Sequence, residues 1–403
     1  MSKNKLKVCM LTTDHSPLDE RIFYKECKSL AKSGYDVSLI CSSDKEYLVY
    51  DMGRKSIINP DKAKEFTIDD IKIYCIQRSL TTFQKALNKL QLSNYVDKFI
   101  KKGIALDADI YHAHEPKSLF IGLQIQKRTG AKLVYDSHES WNFNDPVNRF
   151  YRNRWMKNLK NLITVNELIG NEYQRFNHNI KSCILYNTSH PDFFPPVFEE
   201  KKLATPIIVF EGVLSFDRGL KEILEVFNLL KNDFPKIKFR IIGEGSGKEK
   251  AYLEAKIKAY SLERNIEQTG WVDYTEVGKY LKDCSIGLIT NTFTYNNIFS
   301  SPNKLFNYMT YGIAIVAFDL PFITKIIGKH KCGKTVFDRS VQKLYSAIKL
   351  LITEKDLLKD YCRNSFMCYR TYNWLNEEQK LLDFYEDIIE NKFVKNITSP
   401  ACT

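Results

Sequence analysis

Features that mark several common protein classes are absent from this sequence. Its ten cysteines fall singly, with no CxxC pair, so we expect reduced thiols. No apolar run approaches the roughly 18 residues that a membrane-spanning helix needs. We also expect no secretory leader, because the start of the chain is polar apart from a short apolar run. Together these absences predict a cytoplasmic protein.

The signatures of nucleic-acid recognition are absent too. Neither a helix-turn-helix nor a zinc knuckle nor an aromatic RNA-binding motif accompanies the net charge of +12. That charge needs another anionic partner or a large solvated surface, and acidic lipid and a phosphorylated ligand are the favoured partners. The first loop, DHSPLDER, lacks a GxGxxG motif, so no dinucleotide site is expected there.

The apolar pattern predicts an α/β protein with two domains. A chain of 403 residues, 44% of them hydrophobic, is long enough for two cores of about 180 residues each. Short apolar runs alternate with amphipathic segments in both halves, which is typical of doubly wound parallel sheets. We expect a first domain at 1–190, a linker rich in proline and charge at 191–205, and a second domain at 206–373. A final helix, 375–393, would return to the first domain.

The stretch SSPNKLFNYMTYGIAIVAF, residues 300–318, predicts a helix followed by a buried strand. Pro302 suits the first turn of the helix, Gly312 ends it, and the apolar run IAIVAF suits a parallel strand. The free N–H groups near Asn303 and Lys304, with the Lys304 ammonium, would hold a diphosphate. The alternative interpretation is an ordinary helix with a surface lysine.

A basic amphipathic segment, VNRFYRNRWMKNLKNL, follows Pro146. Apolar and aromatic side chains recur in it at helical spacing, interleaved with arginines and lysines. This pattern is typical of a segment that rests on anionic lipid, so residues 147–160 are a candidate membrane-binding surface. The alternative is a helix packed on its own domain with a solvated basic face.

With both halves laid out, the chain resembles a GT-B glycosyltransferase and is most similar to the retaining enzymes of glycosyltransferase family 4. In the first half the resemblance rests on LAKSGYDV, YHAHEP and VYDSHE. In the second half it rests on FEGVLSFDRGLKEILEVF, IIGEGSG, TGWVDYTEVGKYLKDCSIGLI and SPNKLFNYMTYGIAIVAF, in that order. The resemblance implies two Rossmann-like domains facing across a cleft. It also implies sugar transfer from a nucleoside-diphosphate sugar with retention of configuration, without a metal or other cofactor.

The resemblance assigns the sugar donor to the second domain. Arg218, in SFDRG, matches a basic residue of the family and, with Lys304, would stabilise the charge that develops on the departing diphosphate. Asn307 stands where the family usually has a ribose-binding glutamate. The other implied donor-binding residues lie in turns or at the helix N-terminus, and they are Gly212, Gly243, Glu244, Gly245, Trp271, Val272, Ser301 and Asn303.

The resemblance also assigns roles in the first domain. His138, in YDSHE, matches the histidine that relatives direct at the donor sugar, and His114 and Glu115, in HAHEP, would lie on the acceptor side. We expect Asp19 and Arg21 near the acceptor as well, although a helix N-cap and a surface arginine are the alternative for this pair. The acceptor would be a saccharide or a lipid-linked molecule, used at the inner face of the plasma membrane.

Three positions depart from the family pattern. Phe299 and Asn307 stand where members commonly carry two glutamates eight positions apart, and Val213 stands where many carry an arginine. These departures keep two alternatives of the same fold open. One is a nucleotide-sugar epimerase, and the other is a noncatalytic subunit that binds nucleotide sugars.

A more remote alternative is a metal-dependent hydrolase. His112 and His114 lie at i and i+2 of a predicted strand, so they share a face and could bind one ion. Glu115, His138 and Glu139 would complete the ligand set. No aspartate-rich pattern follows downstream, and the second domain would have no role, so the sequence favours the transferase.

Overall fold

The computed structural model describes residues 5–51, 56–78, 94–140, 145–200 and 205–390. The chain divides into two compact units, each of which contains one sheet. Unit 1 comprises the described parts of Met1–Tyr186 and Glu378–Thr403, and unit 2 comprises the described parts of Asn187–Glu377. The predicted fold class, two α/β domains built on parallel sheets, is confirmed.

Eight strands form the sheet of unit 1, in the spatial order β3-β4-β2-β1-β5-β6-β7-β8. They are β1 (Lys7–Leu11), β2 (Asp36–Ser43), β3 (Glu65–Ile68), β4 (Ile71–Gln77), β5 (Ile110–His114), β6 (Lys132–Ser137), β7 (Asn161–Thr164) and β8 (Lys181–Ile184). All neighbouring pairs are parallel except the edge pair of β3 and β4. The central strands β1, β5 and β6 are almost entirely buried, which explains their apolar sequences.

The helices of unit 1 before residue 186 connect these strands. They are α1 (Glu20–Cys27), α2 (Lys28–Lys32), α3 (Asn94–Leu106), α4 (Glu115–Thr129), α5 (Pro146–Trp155) and α6 (Glu167–Gln174). The sequence predicts one α-helix across α1 and α2, whereas α1 is wound as a π-helix and passes directly into α2. Helix α4 ends at Gly130 in the left-handed conformation, as a glycine C-cap predicts.

Six parallel strands form the sheet of unit 2, in the order β11-β10-β9-β12-β13-β14. They are β9 (Ile207–Glu211), β10 (Lys238–Ile242), β11 (Ile266–Gln268), β12 (Ile286–Ile289), β13 (Ala314–Phe318) and β14 (Gly333–Val336). Strands β12 and β13 are buried throughout. The run IAIVAF therefore forms the predicted strand, and its complete burial explains its apolar sequence.

The helices of unit 2 alternate with its strands. They are α7 (Leu220–Asp233), α8 (Gly247–Ala259), α9 (Val277–Leu281), α10 (Tyr295–Ile298), α11 (Asn303–Thr310), α12 (Pro321–His330), α13 (Val341–Thr353) and α14 (Lys355–Cys368). Helix α11 is the predicted helix of the central stretch. Seven of its eight residues are buried, so it lies inside the unit and not on its surface.

The boundary between the units falls between Tyr186 and Asn187, outside the predicted linker. Residues 191–200 of that linker belong to unit 2. Phe194 is fully buried there, with its ring centroid 5.0 Å from that of Tyr274 and 6.4 Å from that of Tyr311. The proline-rich segment is thus packed on unit 2 through the buried ring of Phe194. Residues 201–204 lie outside the described residues.

The last described helix, α15 (Trp374–Ile389), corresponds to the predicted helix 375–393, and the chain from Glu378 onward belongs to unit 1. Tyr385 Oη lies 2.8 Å from His112 Nδ1 of β5. Lys132 at the start of β6 donates from Nζ to the carbonyl oxygen of Ile389 at 2.8 Å. These contacts join the end of the described chain to the centre of the unit 1 sheet.

Gly287 of β12 gives a direct test of this packing. A Cβ at Gly287 would lie 2.5 Å from ring atoms of Tyr308, whose side chain is fully buried. We expect Gly287→Ala to lower the free energy of unfolding of unit 2 by roughly 1–3 kcal/mol, because the ring has no room to move. Gly328→Ala is the matched control. It has nothing within 4 Å of its Cβ, so it should stabilise α12 by roughly 0.5–1 kcal/mol.

Urea unfolding followed by tryptophan fluorescence measures both variants. Equal midpoints for Gly287→Ala and the unchanged protein would contradict the close approach of β12 and Tyr308.

Candidate functional site

Three glycine turns meet at the carboxyl ends of adjacent strands in unit 2. Gly212 follows β9, Gly243 follows β10, and Gly270 follows β11. The N–H of Gly243 donates to the carbonyl oxygen of Gly270 at 3.0 Å, and a Cβ on Gly243 would lie 2.3 Å from the carbonyl oxygen of Gly212. Gly243 also has φ +126°, which disfavours any other residue. We call these three turns the glycine rim.

Two cationic side chains converge on the glycine rim at Gly212. A Cβ built on Gly212 would lie 3.2 Å from Arg218 Nη1 and 3.7 Å from Lys304 Nζ. Arg218 ends a short 3-10 helix, Phe216–Arg218, and its carbonyl oxygen accepts a hydrogen bond from Thr290 Oγ1 at 2.8 Å. The structure therefore brings together the two cations that the resemblance assigns to the diphosphate.

Lys304 is buried, contrary to the alternative of a surface lysine. Among the residues that the structure describes, its ammonium has no hydrogen-bond partner, and Nζ lies 3.8 Å from the centre of the Phe210 ring. Burial lowers the pKa of Lys304 to about 7, the charge of Arg218 acts in the same direction, and Glu211 opposes both. Burying a cation without a partner raises the free energy of the folded protein, and a bound anionic ligand would lower it again.

The N-terminus of α11 lies at the same position, because Lys304 is in its first turn. Its N-cap, Pro302, supplies no capping side chain. Ser301 is buried, and its hydroxyl has no hydrogen-bond partner within the described ranges, while its carbonyl oxygen accepts from Asn187 Nδ2 at 3.0 Å. Asn303 is the first helical residue and is partly exposed. The helix dipole and the Ser301 hydroxyl add to the two cations.

Asn307 is held inside unit 2 by two side-chain hydrogen bonds. Its Nδ2 donates to Glu211 Oε1 at 2.7 Å, and its Oδ1 accepts from Ser189 Oγ at 2.6 Å. The structure thus connects Asn307 with a carboxylate, Glu211 at the end of β9, which sequence reasoning did not single out. The signal was its place between the apolar run IIVF and Gly212. The role of Asn307 toward a ribose stays a prediction.

The other predicted donor-binding residues lie along the glycine rim. Gly245 pairs with Leu214 in an isolated bridge, and the carbonyl oxygen of Glu244 accepts from the Leu214 N–H at 3.1 Å. Trp271 and Val272 follow Gly270 and are partly exposed. The other two departures from the family pattern also lie in unit 2. Val213 is exposed beside Gly212, and Phe299 follows directly after α10.

In unit 1, Asp19 and Glu115 lie on either side of His15. Asp19 caps α1, accepting from the N–H groups of Arg21 and Ile22, and its Oδ2 lies 3.2 Å from His15 Nδ1. Glu115 accepts from Ser118 Oγ at 2.7 Å and lies 3.6 Å from His15 Nε2. Burial would lower the pKa of His15, but Asp19 and Glu115 raise it to about 9.

The structure accordingly shows Asp19 as the N-cap that the alternative interpretation expected. Burial raises the pKa of the Glu115 carboxyl, while the charge of His15 acts in the opposite direction. The acceptor-side roles of Asp19 and Glu115 stay predictions.

Arg21 is buried, so the alternative of a surface arginine is wrong. Its Nε donates to Asp136 Oδ2 at 2.7 Å, and its Nη2 donates to Asp136 Oδ1 at 3.1 Å. His138 Nε2 lies 2.9 Å from Asp136 Oδ2 and 3.2 Å from His114 Nδ1. Burial would raise the pKa of Asp136, but Arg21 and then His138 hold it well below its usual range. His114 Nδ1 also lies 3.7 Å from Asp136 Oδ2, so Arg21, His114 and His138 share one carboxylate.

Glu26 and His112 extend this network deeper into unit 1. One ligand atom from each of Glu26, His112, His114 and Asp136 lies within 4.8 Å of the other three, and all four residues are fully buried. Burial and then Asp136 raise the pKa of Glu26 well above its usual value, and Arg21 opposes them. Sequence reasoning missed Glu26, although its place four residues after Ile22, on the apolar side of the helix, was a signal.

The basic segment 147–160 is partly buried and partly exposed. Helix α5 ends at Trp155, which is buried, and a 3-10 turn, Met156–Asn158, follows it. Arg152 is buried as well, with its guanidinium 3.3 Å from the centre of the Phe176 ring. The exposed side chains of the segment are Arg149, Phe150, Asn153, Arg154, Lys157, Asn158 and Lys160. Among the described helices, none has the length and apolar character to cross a bilayer.

Comparison with known families and curated proteins adds to this geometry. Residues 20–192 match the family model described as Glycosyltransferase Family 4, and residues 196–366 match that of Glycosyl transferases group 1. An uncharacterized glycosyltransferase of Haemophilus influenzae is 22% identical over 342 residues, which cover 84% of this chain and 87% of that protein. The alpha-monoglucosyldiacylglycerol synthase of Acholeplasma laidlawii is 21% identical over 52% of this chain and 59% of that enzyme.

Solved structures support the fold. A sucrose-phosphate synthase of Thermosynechococcus elongatus superposes with a TM-score of 0.74 at 12% identity, over 96% of this chain and 100% of that one. The Anabaena protein HepE, solved in complex with UDP and glucose, superposes with a TM-score of 0.71 at 13% identity, over 94% of this chain and 99% of that one. The chain is therefore a glycosyltransferase of the GT-B fold that resembles glycosyltransferase family 4.

Proposed function

We propose that this glycosyltransferase is a retaining enzyme that takes its sugar from a nucleoside-diphosphate sugar. The acceptor is a saccharide or a lipid-linked molecule of cell-surface glycan biosynthesis. Unit 2 binds the donor at the glycine rim, and the transfer itself uses no cofactor. Retention of configuration and the absence of a cofactor rest on the resemblance to family 4.

The observation that carries the proposal is the convergence of Arg218 and Lys304 at Gly212. Both cations lie within 4 Å of the point that a Cβ on Gly212 would occupy, and Lys304 is buried without a hydrogen-bond partner in the described part of the chain. A diphosphate can approach a glycine closely and accept hydrogen bonds from both side chains. HepE, which shares the fold, was solved with UDP and glucose.

The same arrangement suits the chemical step. When the bond between the sugar and the diphosphate breaks, negative charge develops on the departing phosphate. Positive groups that are already in place stabilise this charge without reorganising. Arg218, Lys304 and the N-terminus of α11 are such groups. The family resemblance assigns His138 of unit 1 to a hydroxyl of the donor sugar.

A noncatalytic subunit or an epimerase is the second candidate. It is favoured by Asn307 and Phe299, which replace the two family glutamates, and by the hydrogen bonds that keep the Asn307 amide on Glu211 and Ser189. Incubation of the protein with nucleotide sugars and acceptors separates the three functions. Glycosylated acceptor supports the transferase, epimerised donor supports the epimerase, and binding without turnover supports the subunit.

Membrane association is part of the proposal. The exposed Arg149, Phe150 and Arg154 combine two cations with an aromatic side chain that is 62% exposed. Such a surface binds anionic lipid through charge and through shallow insertion of the ring. The Acholeplasma laidlawii relative is named as the synthase of a diacylglycerol glycolipid, which agrees with an acceptor at a membrane.

Removing either cation should weaken donor binding. We expect Lys304→Met and Arg218→Gln each to raise the Kd for UDP-glucose by roughly 10- to 100-fold, because each removes a charge-assisted hydrogen bond to the diphosphate. Isothermal titration calorimetry measures this, and the exposed Lys329→Met in α12 is the matched control. Unchanged affinity in both variants would contradict the assignment of the diphosphate to the glycine rim.

Donor binding should also depend on pH through Lys304. Because its pKa in the folded protein is about 7, Lys304 is mostly charged at about pH 6 and mostly neutral at about pH 8. We expect the Kd for UDP-glucose to rise by roughly tenfold over this interval. The diphosphate of a nucleotide sugar does not titrate there, and Lys304→Met should abolish the dependence.

A pH-independent Kd in the unchanged protein would contradict the role of the ammonium. The free energy of unfolding gives a second test of the same pKa. The pKa of Lys304 is lowered from its ordinary value of 10.5, so the unfolded chain binds more protons. The free energy of unfolding of the unchanged protein, measured relative to that of Lys304→Met, should therefore rise from about pH 7 to about pH 10.

Charge reversal tests the membrane surface. We expect Arg149→Glu with Arg154→Glu to weaken binding to phosphatidylglycerol-containing vesicles by at least roughly 30-fold at low salt, because each basic residue contributes about 1 kcal/mol near an anionic surface. Lys127→Glu with Arg128→Glu, at the exposed end of α4, makes the same change of net charge elsewhere. Vesicle sedimentation measures both pairs. An equal loss in the two pairs would show that only net charge matters.

A further inference from the structure

The buried histidine and carboxylate network of unit 1 contains polar atoms that no neighbour satisfies. Within the described ranges, His112 Nε2, His114 Nε2 and Glu26 Oε2 have no hydrogen-bond partner, whereas Glu26 Oε1 lies 3.0 Å from Arg21 Nε. The two histidines and Glu26 are fully buried. The sugar transfer proposed above uses neither Glu26 nor His112. A ligand that satisfies these atoms at once would explain their arrangement.

The unpaired atoms face one another. His112 Nε2 lies 3.8 Å from Glu26 Oε2, and His114 Nε2 lies 3.9 Å from the same oxygen. The two imidazole rings are stacked with centroids 4.5 Å apart, because residues i and i+2 of β5 project to the same side of the sheet. Two nitrogens and one carboxylate oxygen thus converge on one point.

The opposite edge of each imidazole is already engaged. His112 Nδ1 lies 2.8 Å from Tyr385 Oη, and His114 Nδ1 lies 3.2 Å from His138 Nε2. A Nδ1–H that donates to Tyr385 leaves the lone pair of His112 on Nε2, facing Glu26. Partners of this kind orient the histidine ligands of metal ions in proteins.

The balance of charges around these atoms favours a bound cation. Arg21 binds Asp136 through two nitrogens, and its Nε lies 3.0 Å from Glu26 Oε1. One guanidinium therefore faces two buried carboxylates, so the ionised set has a formal charge of −1. A divalent cation would change this to +1 and would remove the repulsion between Glu26 and Asp136.

We propose that Glu26, His112 and His114, with Asp136 as the fourth ligand, form a structural site for Zn²⁺ in unit 1. Two imidazole nitrogens and two carboxylate oxygens suit zinc better than magnesium or calcium. Tetrahedral bonds of about 2.0–2.1 Å separate ligand atoms by roughly 3.4 Å, so each of the two nitrogens needs to approach Glu26 Oε2 by only about half an ångström.

The site is structural because all four ligands are buried and no position stays open for substrate. A bound ion would join α1, β5 and β6 and, through Tyr385, would hold α15. It differs from the hydrolase site weighed above, because Glu115 and Glu139 are not ligands and Glu26 and Asp136 are.

The test is the metal content of the full chain, purified without chelators, with any affinity tag removed. After dialysis against metal-free buffer, mass spectrometry should find about one zinc per chain in the unchanged protein. His112→Gln combined with His114→Asn should lose it. His178→Gln, an exposed histidine of the same unit, is the matched control and should keep it. Zinc missing from the unchanged protein, or retained by the double variant, would overturn the site.

Two conservative variants keep the test independent of folding. Glu26→Gln preserves the side-chain volume and Tyr385→Phe removes only the hydroxyl beside His112, so both should keep the circular dichroism spectrum. After removal of zinc, Co²⁺ should bind to the unchanged protein with the visible absorption of a tetrahedral site. We expect each variant to bind Co²⁺ at least roughly 10- to 100-fold more weakly. Equal Co²⁺ affinity in Glu26→Gln, or the absence of a tetrahedral spectrum in the unchanged protein, would contradict the proposal.

Discussion

The buried ammonium of Lys304 is the constraint on which the organisation of unit 2 depends. Burial removes its hydration, Arg218 repels it, and Glu211 is the carboxylate that opposes both effects. Such a group is tolerated because α11 and the end of β9 are held in the close-packed interior of unit 2 and cannot move away from it. The free-energy cost of this arrangement falls when an anion binds, and the proposed diphosphate site rests on that difference.

Unit 1 collects charged groups at the same place in its sheet but balances them differently. In a parallel sheet the carboxyl ends of the strands lie along one edge, so residues that follow β1, β5 and β6 meet there. Here carboxylates and imidazoles surround Arg21, which binds Asp136 through two nitrogens. Unit 1 therefore neutralises its buried charges largely within the protein, whereas unit 2 presents unbalanced positive charge at the glycine rim.

Much of the fold and part of the site could be predicted from the sequence. The apolar runs identified the central strands, and Pro302 and Gly312 located helix α11 within a residue. The family resemblance of SFDRG pointed to Arg218, and the predicted helix N-terminus in SPNKLF pointed to Lys304. The connection of Asn307 to Glu211 and the place of Glu26 could not be found this way, because no periodic pattern links residues that meet only when distant strands and helices pack together. The burial of Arg21 was missed for the same reason, since its partner Asp136 is 115 positions away.

By itself, the sequence determined the alternation of strands and helices, the two parallel sheets and the turns that need glycine, because these depend on patterns within a few neighbouring residues. Only the tertiary structure decided which ionisable side chains are buried and what faces them. Lysine and arginine are usually exposed, yet Lys304 in α11 and Arg152 in α5 are both buried. Among the described residues Lys304 Nζ has no hydrogen-bond partner, and Arg152 packs against the ring of Phe176. The environment of a charge is set by every element packed around it, and those elements come from distant parts of the chain.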